Sequence, residues 1–207
     1  MKETMQPTTA SEAGYSSAYE EALRLALVAH REQRRKGSGL PYSIHPIHVS
    51  VILLRHGFST EVAIAGLLHD LVEDQGFDPE EIDRRFGPEV SEIVDALTER
   101  KRDAHGRRRP WPIRKREALE MLERTSKEAA AVKAADALHN VESFLEDLRQ
   151  DGADIWRHFN QGPIEQLAYY RRITSISRRK LGSHPLVGEL ADAVSDLATA
   201  IKDTGHP

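Results

Sequence analysis

The sequence predicts an all-α fold, a single bundle of about eight to ten helices. Three observations predict it. Alternating apolar and polar runs of strand type are absent. Ala, Leu, Glu and Arg, all strong helix formers, dominate the chain. Ser, Asp, Pro and Gly recur at the places where helices would start and stop. At 207 residues the chain suits one domain and can bury a core without staples.

The elements follow in order. The polar stretch 1–14 offers little apolar surface and reads as a disordered tail. Residues 15–203 read as one domain, and 204–207 as a second short tail. Ser17 and Glu20 make a capping box for a helix with Tyr19, Leu23, Ala26 and His30 on one face, ending near Lys36 before Gly37-Ser38-Gly39. Pro46 suits a first helical position and makes His45 the N-cap of a helix that runs to Arg55 and stops at Gly57. Ser59 starts a helix reaching Asp74. Asp78-Pro79-Glu80-Glu81 is a start signal, with cap, N1 proline and acidic first turn. Gly87-Pro88 resets the chain for a helix over Glu89 to Glu99. A basic loop, Arg100 to Pro112, precedes helices over Ile113 to Arg124, Ser126 to Arg149, Pro163 to Leu181 and His184 to Lys202. Thr125 and Glu128 fit a capping box for the second of these.

Composition narrows the chemistry. Lys and Arg total 29 against 33 Asp and Glu, a net charge of −4, which argues against a general nucleic-acid or membrane-surface binder. The N-terminus lacks a signal-peptide pattern, and the aliphatic stretch Val49 to Leu54 is far too short to span a bilayer, so a cytoplasmic protein is expected. There are ten histidines and no cysteine. That excludes disulfides, a thiolate nucleophile, a zinc finger and an iron–sulfur cluster. Any metal must sit on histidine and carboxylate, which favours Mn²⁺, Fe²⁺, Mg²⁺ or Zn²⁺.

Polar groups interrupt two apolar helices. The helix from Ser59 is apolar nearly all round, yet carries His69, Asp70, Glu73 and Asp74. Spacing of four would stack His69 on Glu73 and Asp70 on Asp74. Four ionisable groups there are costly unless a metal or substrate compensates them. A core histidine beside a solvated C-terminal turn is the alternative, although acidic groups at a helix C-terminus oppose the macrodipole. The Ala-rich helix from Ser126 sets Lys133, Asp136 and Asn140 on one face, with a buried Lys133–Asp136 ion pair as the alternative reading. His45, His69, Asp70 and Asp136 together suit a divalent first-row ion with open positions for water and phosphate oxygen. Arg34-Arg35-Lys36 feeds a glycine-bearing loop leading to Tyr42 and His45, a phosphate-binding arrangement or a solvated helix end.

The words His30-x-x-Gln33-x-Arg35-Lys36, Pro41-Tyr42-x-x-His45-Pro46, Leu67-Leu68-His69-Asp70-x-Val72-Glu73-Asp74, Phe86-Gly87 and Ala135-Asp136-x-Leu138-His139-Asn140 make the chain resemble the HD phosphohydrolase superfamily. Over about Tyr19 to Leu181 it is similar to the hydrolase domain of RelA/SpoT-type alarmone enzymes. Its length leaves no room for synthetase and regulatory domains, so the resemblance is to the small alarmone hydrolases that remove the 3′-pyrophosphate of (p)ppGpp. The resemblance implies an HD-domain helical bundle and one Mn²⁺ per chain on His45, His69, Asp70 and Asp136. It implies a catalytic pair, Glu73 and Asp74, and nucleotide contacts at Arg35, Lys36, Tyr42, Asn140 and Tyr169. It departs at Ala137, where relatives commonly carry Lys or Arg, and in the insert Arg107-Arg108-Arg109-Pro110-Trp111, which reads as a lid or a solvated basic loop. The expected partner is a small nucleotide, with no nucleic acid or membrane, and a monomeric or homodimeric chain. The alternatives are an HD phosphohydrolase acting on (p)ppApp, NADPH or a nucleoside monophosphate, a weakly catalytic nucleotide sensor, and an RNA-binding helical protein. Of the histidines, His45 and His69 are expected as ligands, with His30 and His139 packing or supporting them. His48, His56, His105, His158, His184 and His206 are expected as surface or ordinary structural residues.

Overall fold

A computed structural model describes residues 16–158 and 161–204. The expected tail 1–14, and 205–207 with His206, lie outside the described residues. The helices are α1 (Ser17–Ala29), α2 (Ile44–Arg55), α3 (Thr60–Leu68), α4 (Leu71–Gln75), α5 (Pro79–Phe86), α6 (Pro88–Leu97), α7 (Trp111–Arg124), α8 (Lys127–Asp151), α9 (Pro163–Leu181) and α10 (Pro185–Asp203). A 3₁₀ turn, Gly152–His158, follows α8 and was not foreseen. No strand occurs among the described residues, only two isolated bridges. The fold is therefore all-α, as the composition predicts.

The core forms around α8, which contacts α2, α3, α6, α9 and α10. Its body is small and apolar: Ala129, Ala130, Ala131, Val132, Ala134, Ala135, Ala137 and Leu138 are all buried. Small side chains let neighbouring helices approach closely. In α3, every residue from Val62 to Leu68 is buried. A methyl at Gly66 would sit 2.7 Å from Leu53 Cδ1, so glycine here permits the α2–α3 crossing.

Several boundaries differ from the sequence expectation. The cap of α1 is Ser16, whose hydroxyl accepts from the Tyr19 amide, rather than Ser17. The helix ends at Ala29, seven residues before Lys36. Residues 33–42 fold back instead, with Arg35 N on Leu40 O (2.8 Å) and Tyr42 N on Gln33 O (2.9 Å). Gly37 and Gly39 take positive φ in that turn. α2 starts at Ile44, so His45 and Pro46 are its second and third residues and Ser43 its N-cap. Proline is tolerated there because first-turn amides have no intrahelical acceptor. Ser126, not Thr125, caps α8, accepting from the Ala129 amide.

The main departure is at His69-Asp70. The expected helix from Ser59 to Asp74 is two helices, with Asp70 at φ −96° and ψ −3° between them. Glu73 and Asp74 therefore lie in the first turn of α4, not the last turn of a long helix. The Ser59, Asp78, Gly87 and Pro163 boundaries fall where the sequence signals put them.

Candidate active site

The α3–α4 break, the start of α2 and the middle of α8 converge. His45, His69 and Asp70 each present a ligand atom within 4.8 Å of the others. Asp136 adds Oδ1 at 3.2 Å from His45 Nε2. At the break His69 pairs with Asp70, with Nε2 3.2 Å from Oδ2. His69 Nδ1 donates to the Gly66 carbonyl at 2.8 Å, which turns Nε2 inward. That buried Nε2 has no hydrogen-bond partner. Burial alone would lower the His69 pKa, but the charge of Asp70 beside it prevails and pushes it up to about 9. Burial would raise Asp70 and Asp136; the His69 imidazole holds the first, and the Lys133 ammonium the second, below the usual carboxylate range. The pocket thus favours positive charge at its centre. Two imidazoles, with His69 Nε2 turned inward, and two ionised carboxylates fit a divalent first-row ion.

A polar shell orients the carboxylates. The Tyr42 hydroxyl donates to Asp70 Oδ2 at 2.5 Å. Lys133 Nζ donates to Asp136 Oδ2 at 2.8 Å and Asn140 Nδ2 to Asp136 Oδ1 at 2.5 Å. Arg35 Nη2 then donates to Asn140 Oδ1 at 3.0 Å. The i, i+3, i+7 face of α8 forms as the spacing predicts. The Lys133–Asp136 ion pair also exists, and Asp136 faces His45 at the same time.

Glu73 and Asp74 meet on a lysine. Lys101 Nζ lies 3.0 Å from Glu73 Oε1 and also binds Asp74 Oδ1. Glu73 Oε2 accepts from the Glu99 amide at 3.1 Å. Asp74 Oδ2 accepts from Gln33 Nε2 at 2.7 Å, and Gln33 is in turn held by His30 Nδ1 through its Oε1, 2.7 Å away. Burial, with Glu99 and Asp70 nearby, raises the Glu73 pKa above the usual carboxylate range, against the pull of Lys101.

Above these groups opens a cleft of about 570 Å³. Arg35, Lys36, Tyr42, Asn140 and Tyr169, the five expected substrate contacts, all line it, as do Glu73, Asp74 and Asp136. Partial burial and the cations Arg108, Lys101 and Arg114 lower the Lys36 pKa. Tyr169 is buried with its hydroxyl unpartnered, its ring 5.9 Å from that of Trp111 and 4.9 Å from Lys115 Nζ. The basic loop divides its arginines. Arg107 pairs with Asp103 and Arg109 with Glu117, while Arg108 lines the cleft.

Sequence reasoning missed Lys101, Arg114 and Lys115 as cleft residues. One signal was available: α7 opens with Arg114, Lys115 and Arg116, cations at the helix end whose dipole repels them. Arg114 and Lys115 are balanced across space by Glu99, at 2.8 and 2.5 Å. His48 is exposed, as expected of a surface residue, and its Nδ1 lies 2.8 Å from His139 Nε2. His184 accepts from the Leu186 amide as the N-cap of α10, and His56 lies 3.3 Å from Glu189. The side chain of His158 lies outside the described residues.

An all-α bundle with a His₂–carboxylate₂ cluster that meets a cationic cleft at Asp136 defines a class, the helical metal-dependent phosphohydrolases. The HD domain family model matches residues 22–161, and the chain belongs to that family. The chain is 38% identical over 139 residues to guanosine-3′,5′-bis(diphosphate) 3′-pyrophosphohydrolase MESH1 of Xenopus tropicalis, covering 66% of this chain and 72% of that enzyme. Among solved structures it is similar to lmo0812 of Listeria monocytogenes EGD-e, at 33% identity and a TM-score of 0.66 over 74% of this chain and 97% of that one. It is also similar to a metazoan ortholog of SpoT that hydrolyzes ppGpp and plays a role in starvation responses. That match has 26% identity and a TM-score of 0.67, over 94% of this chain and all of the other.

Proposed function

We propose that this chain is a (p)ppGpp 3′-pyrophosphohydrolase, cleaving the alarmone to GDP or GTP and pyrophosphate. The observation that carries the reading is the junction of the His45–His69–Asp70–Asp136 cluster, the Lys101-bridged Glu73–Asp74 pair and one cationic cleft. The relatives named for this activity or shown to have it are similar over most of the chain. Residues 15–203 would form the one catalytic domain, in the cytoplasm, as monomer or homodimer. No helix among the described residues is long and apolar enough to cross a membrane.

His45, His69, Asp70 and Asp136 hold one divalent ion, Mn²⁺ in this reading. When bound, that ion neutralises phosphoryl charge and makes water a better nucleophile. Arg35 and Lys36 grip the pyrophosphate, and Lys101 and Arg108 balance charge that develops on it. Glu73, with its raised pKa, takes the proton from the attacking water and returns one to the departing 3′-oxygen. Asp74 fixes Gln33 and Lys101, and through Lys101 the position of Glu73. Tyr169 and Trp111 offer aromatic surface to the nucleoside.

The test is an assay of the purified Mn²⁺-loaded chain on ppGpp, with products resolved by chromatography. GDP and pyrophosphate in equal amounts are expected. Faster release of phosphate from NADPH, or faster turnover of (p)ppApp, would replace the substrate assignment. Tight ppGpp binding with no product over hours would make the chain a sensor.

A further inference from the structure

Three histidines stand in a line that runs from the metal cluster to the surface. His45 turns Nε2 toward the carboxylates, 3.2 Å from Asp136 and 3.7 Å from Asp70. Its other nitrogen, Nδ1, is 2.8 Å from Nδ1 of His139. His139 Nε2 is 2.8 Å from Nδ1 of His48. His45 is 1% exposed and His139 7%, whereas His48 is exposed. A neutral imidazole offers one N–H and one lone pair, one on each ring nitrogen.

Each nitrogen-to-nitrogen contact needs one donor and one acceptor. A single choice therefore propagates along the line. As a metal ligand, His45 must present a lone pair at Nε2, so its proton sits on Nδ1. His139 then accepts at Nδ1 and carries its proton on Nε2. His48 must accept at Nδ1, leaving its own proton on Nε2 toward solvent. We propose that His139 and His48 are positioning residues, a relay of tautomers that holds His45 in its metal-binding form and extends the metal site to a surface histidine. The inference rests on the metal-site reading above and goes beyond it, because neither residue touches metal or substrate.

Two measurements on the full-length chain test it. The first is Mn²⁺ affinity by calorimetry for wild type, His139→Phe, His139→Asn and His48→Ala. Losing a partner that orients a ligand weakens metal binding by about 10- to 100-fold, the loss expected for His139→Phe. A carboxamide in place of the His139 ring can still accept from His45, so His139→Asn is expected to recover most of the affinity. His48→Ala is expected to show a smaller loss, since water can replace that acceptor. The second measurement is the ¹⁵N spectrum of the histidine rings in wild type loaded with diamagnetic Zn²⁺. It is expected to show Nδ1–H at His45 and Nε2–H at His139 and His48. A folded His139→Phe chain with wild-type affinity, a His139→Asn chain no better than His139→Phe, or Nδ1–H at His48 overturns the relay alone. Should His139→Phe not fold, the wild-type spectrum decides. Wild type that binds no metal overturns the metal-site reading and the relay together.

Discussion

Lys101→Met is the most direct probe of the catalytic pair. Lys101 is the cation shared by Glu73 and Asp74, with Nζ 3.0 Å from Glu73 Oε1. Its side chain is 39% exposed, so the interaction is screened as in water rather than in a dry interior. At that distance and dielectric one ion pair is worth about 1.4 kcal/mol, equivalent to about one pH unit on a titrating group. Glu73 already titrates above the usual carboxylate range, because burial and the charges of Glu99 and Asp70 disfavour its ionised form. Removing the cation pushes it further the same way. A base that must be ionised to act then stays protonated and inactive up to a higher pH. The acid limb of kcat/KM, which reports the free enzyme, is expected to move up by about one unit. The assay is the pH profile of ppGpp hydrolysis by Mn²⁺-loaded wild type, Lys101→Met and Lys101→Arg, where the substrate's own titration is common to all three. Arg keeps the charge and is expected to leave the limb near its original place. An unmoved limb in Lys101→Met, at wild-type metal content, would refute Glu73 as the titrating base.

Asp136→Ala removes a ligand oxygen and strands Lys133 and Asn140, so dialysed protein is expected to carry no Mn²⁺ by elemental analysis and to show no turnover. Glu99→Gln uncouples two cations from a carboxylate whose side chain is only 5% exposed. Urea unfolding at pH 7 should register a loss of about 3–5 kcal/mol. The sign with pH is fixed by direction: burial would raise Glu99, but Lys115 and the neighbouring cations hold it below its ordinary value. Its stabilisation is thus full above the unfolded-state pKa and is lost as pH falls through the lower folded value. The gap between wild type and Glu99→Gln should close in acid. Gly37→Ala places a Cβ 2.5 Å from Asp147 Oδ2 at a φ of +85°. A cost of about 1–2 kcal/mol in thermal unfolding is expected, with a raised KM because the same turn carries Arg35 and Lys36.

The parts of the site that share one regular element were readable from spacing. Lys133, Asp136 and Asn140 lie on one face of α8 because the helix is unbroken through them. The α3–α4 region was misread for the opposite reason. Its residues are good helix formers throughout, and nothing local marks Asp70 as the point of interruption. What interrupts the helix is tertiary: His69 and Asp70 turn toward His45 and Tyr42, which come from α2 and the loop before it. The overlong first helix failed similarly. Residues 31–36 have helical propensity, but Gln33 and Arg35 are held by Asp74 and Asn140, 41 and 105 residues away in sequence. Lys101 and Arg114 fall outside any spacing rule, since their partners Glu73, Asp74 and Glu99 lie on other elements or in loops.

Net charge argues against an extended polyanion but hides the field that a small one meets. The chain carries −4 overall. Yet the cleft is lined by nine Lys and Arg, against the four carboxylates Glu73, Asp74, Asp136 and Asp147. Three of those carboxylates are already bonded to lysines, Glu73 and Asp74 by Lys101 and Asp136 by Lys133. A concave wall of low dielectric concentrates the remaining positive potential, while the acidic remainder of the surface repels long polyanions. The same distribution explains how Arg114, Lys115 and Lys133 can be brought so close together. Glu99 lies between the first two, and Asp136 holds the third. A bis-diphosphate nucleotide, compact and multiply charged, supplies the negative charge that this cleft of about 570 Å³ lacks.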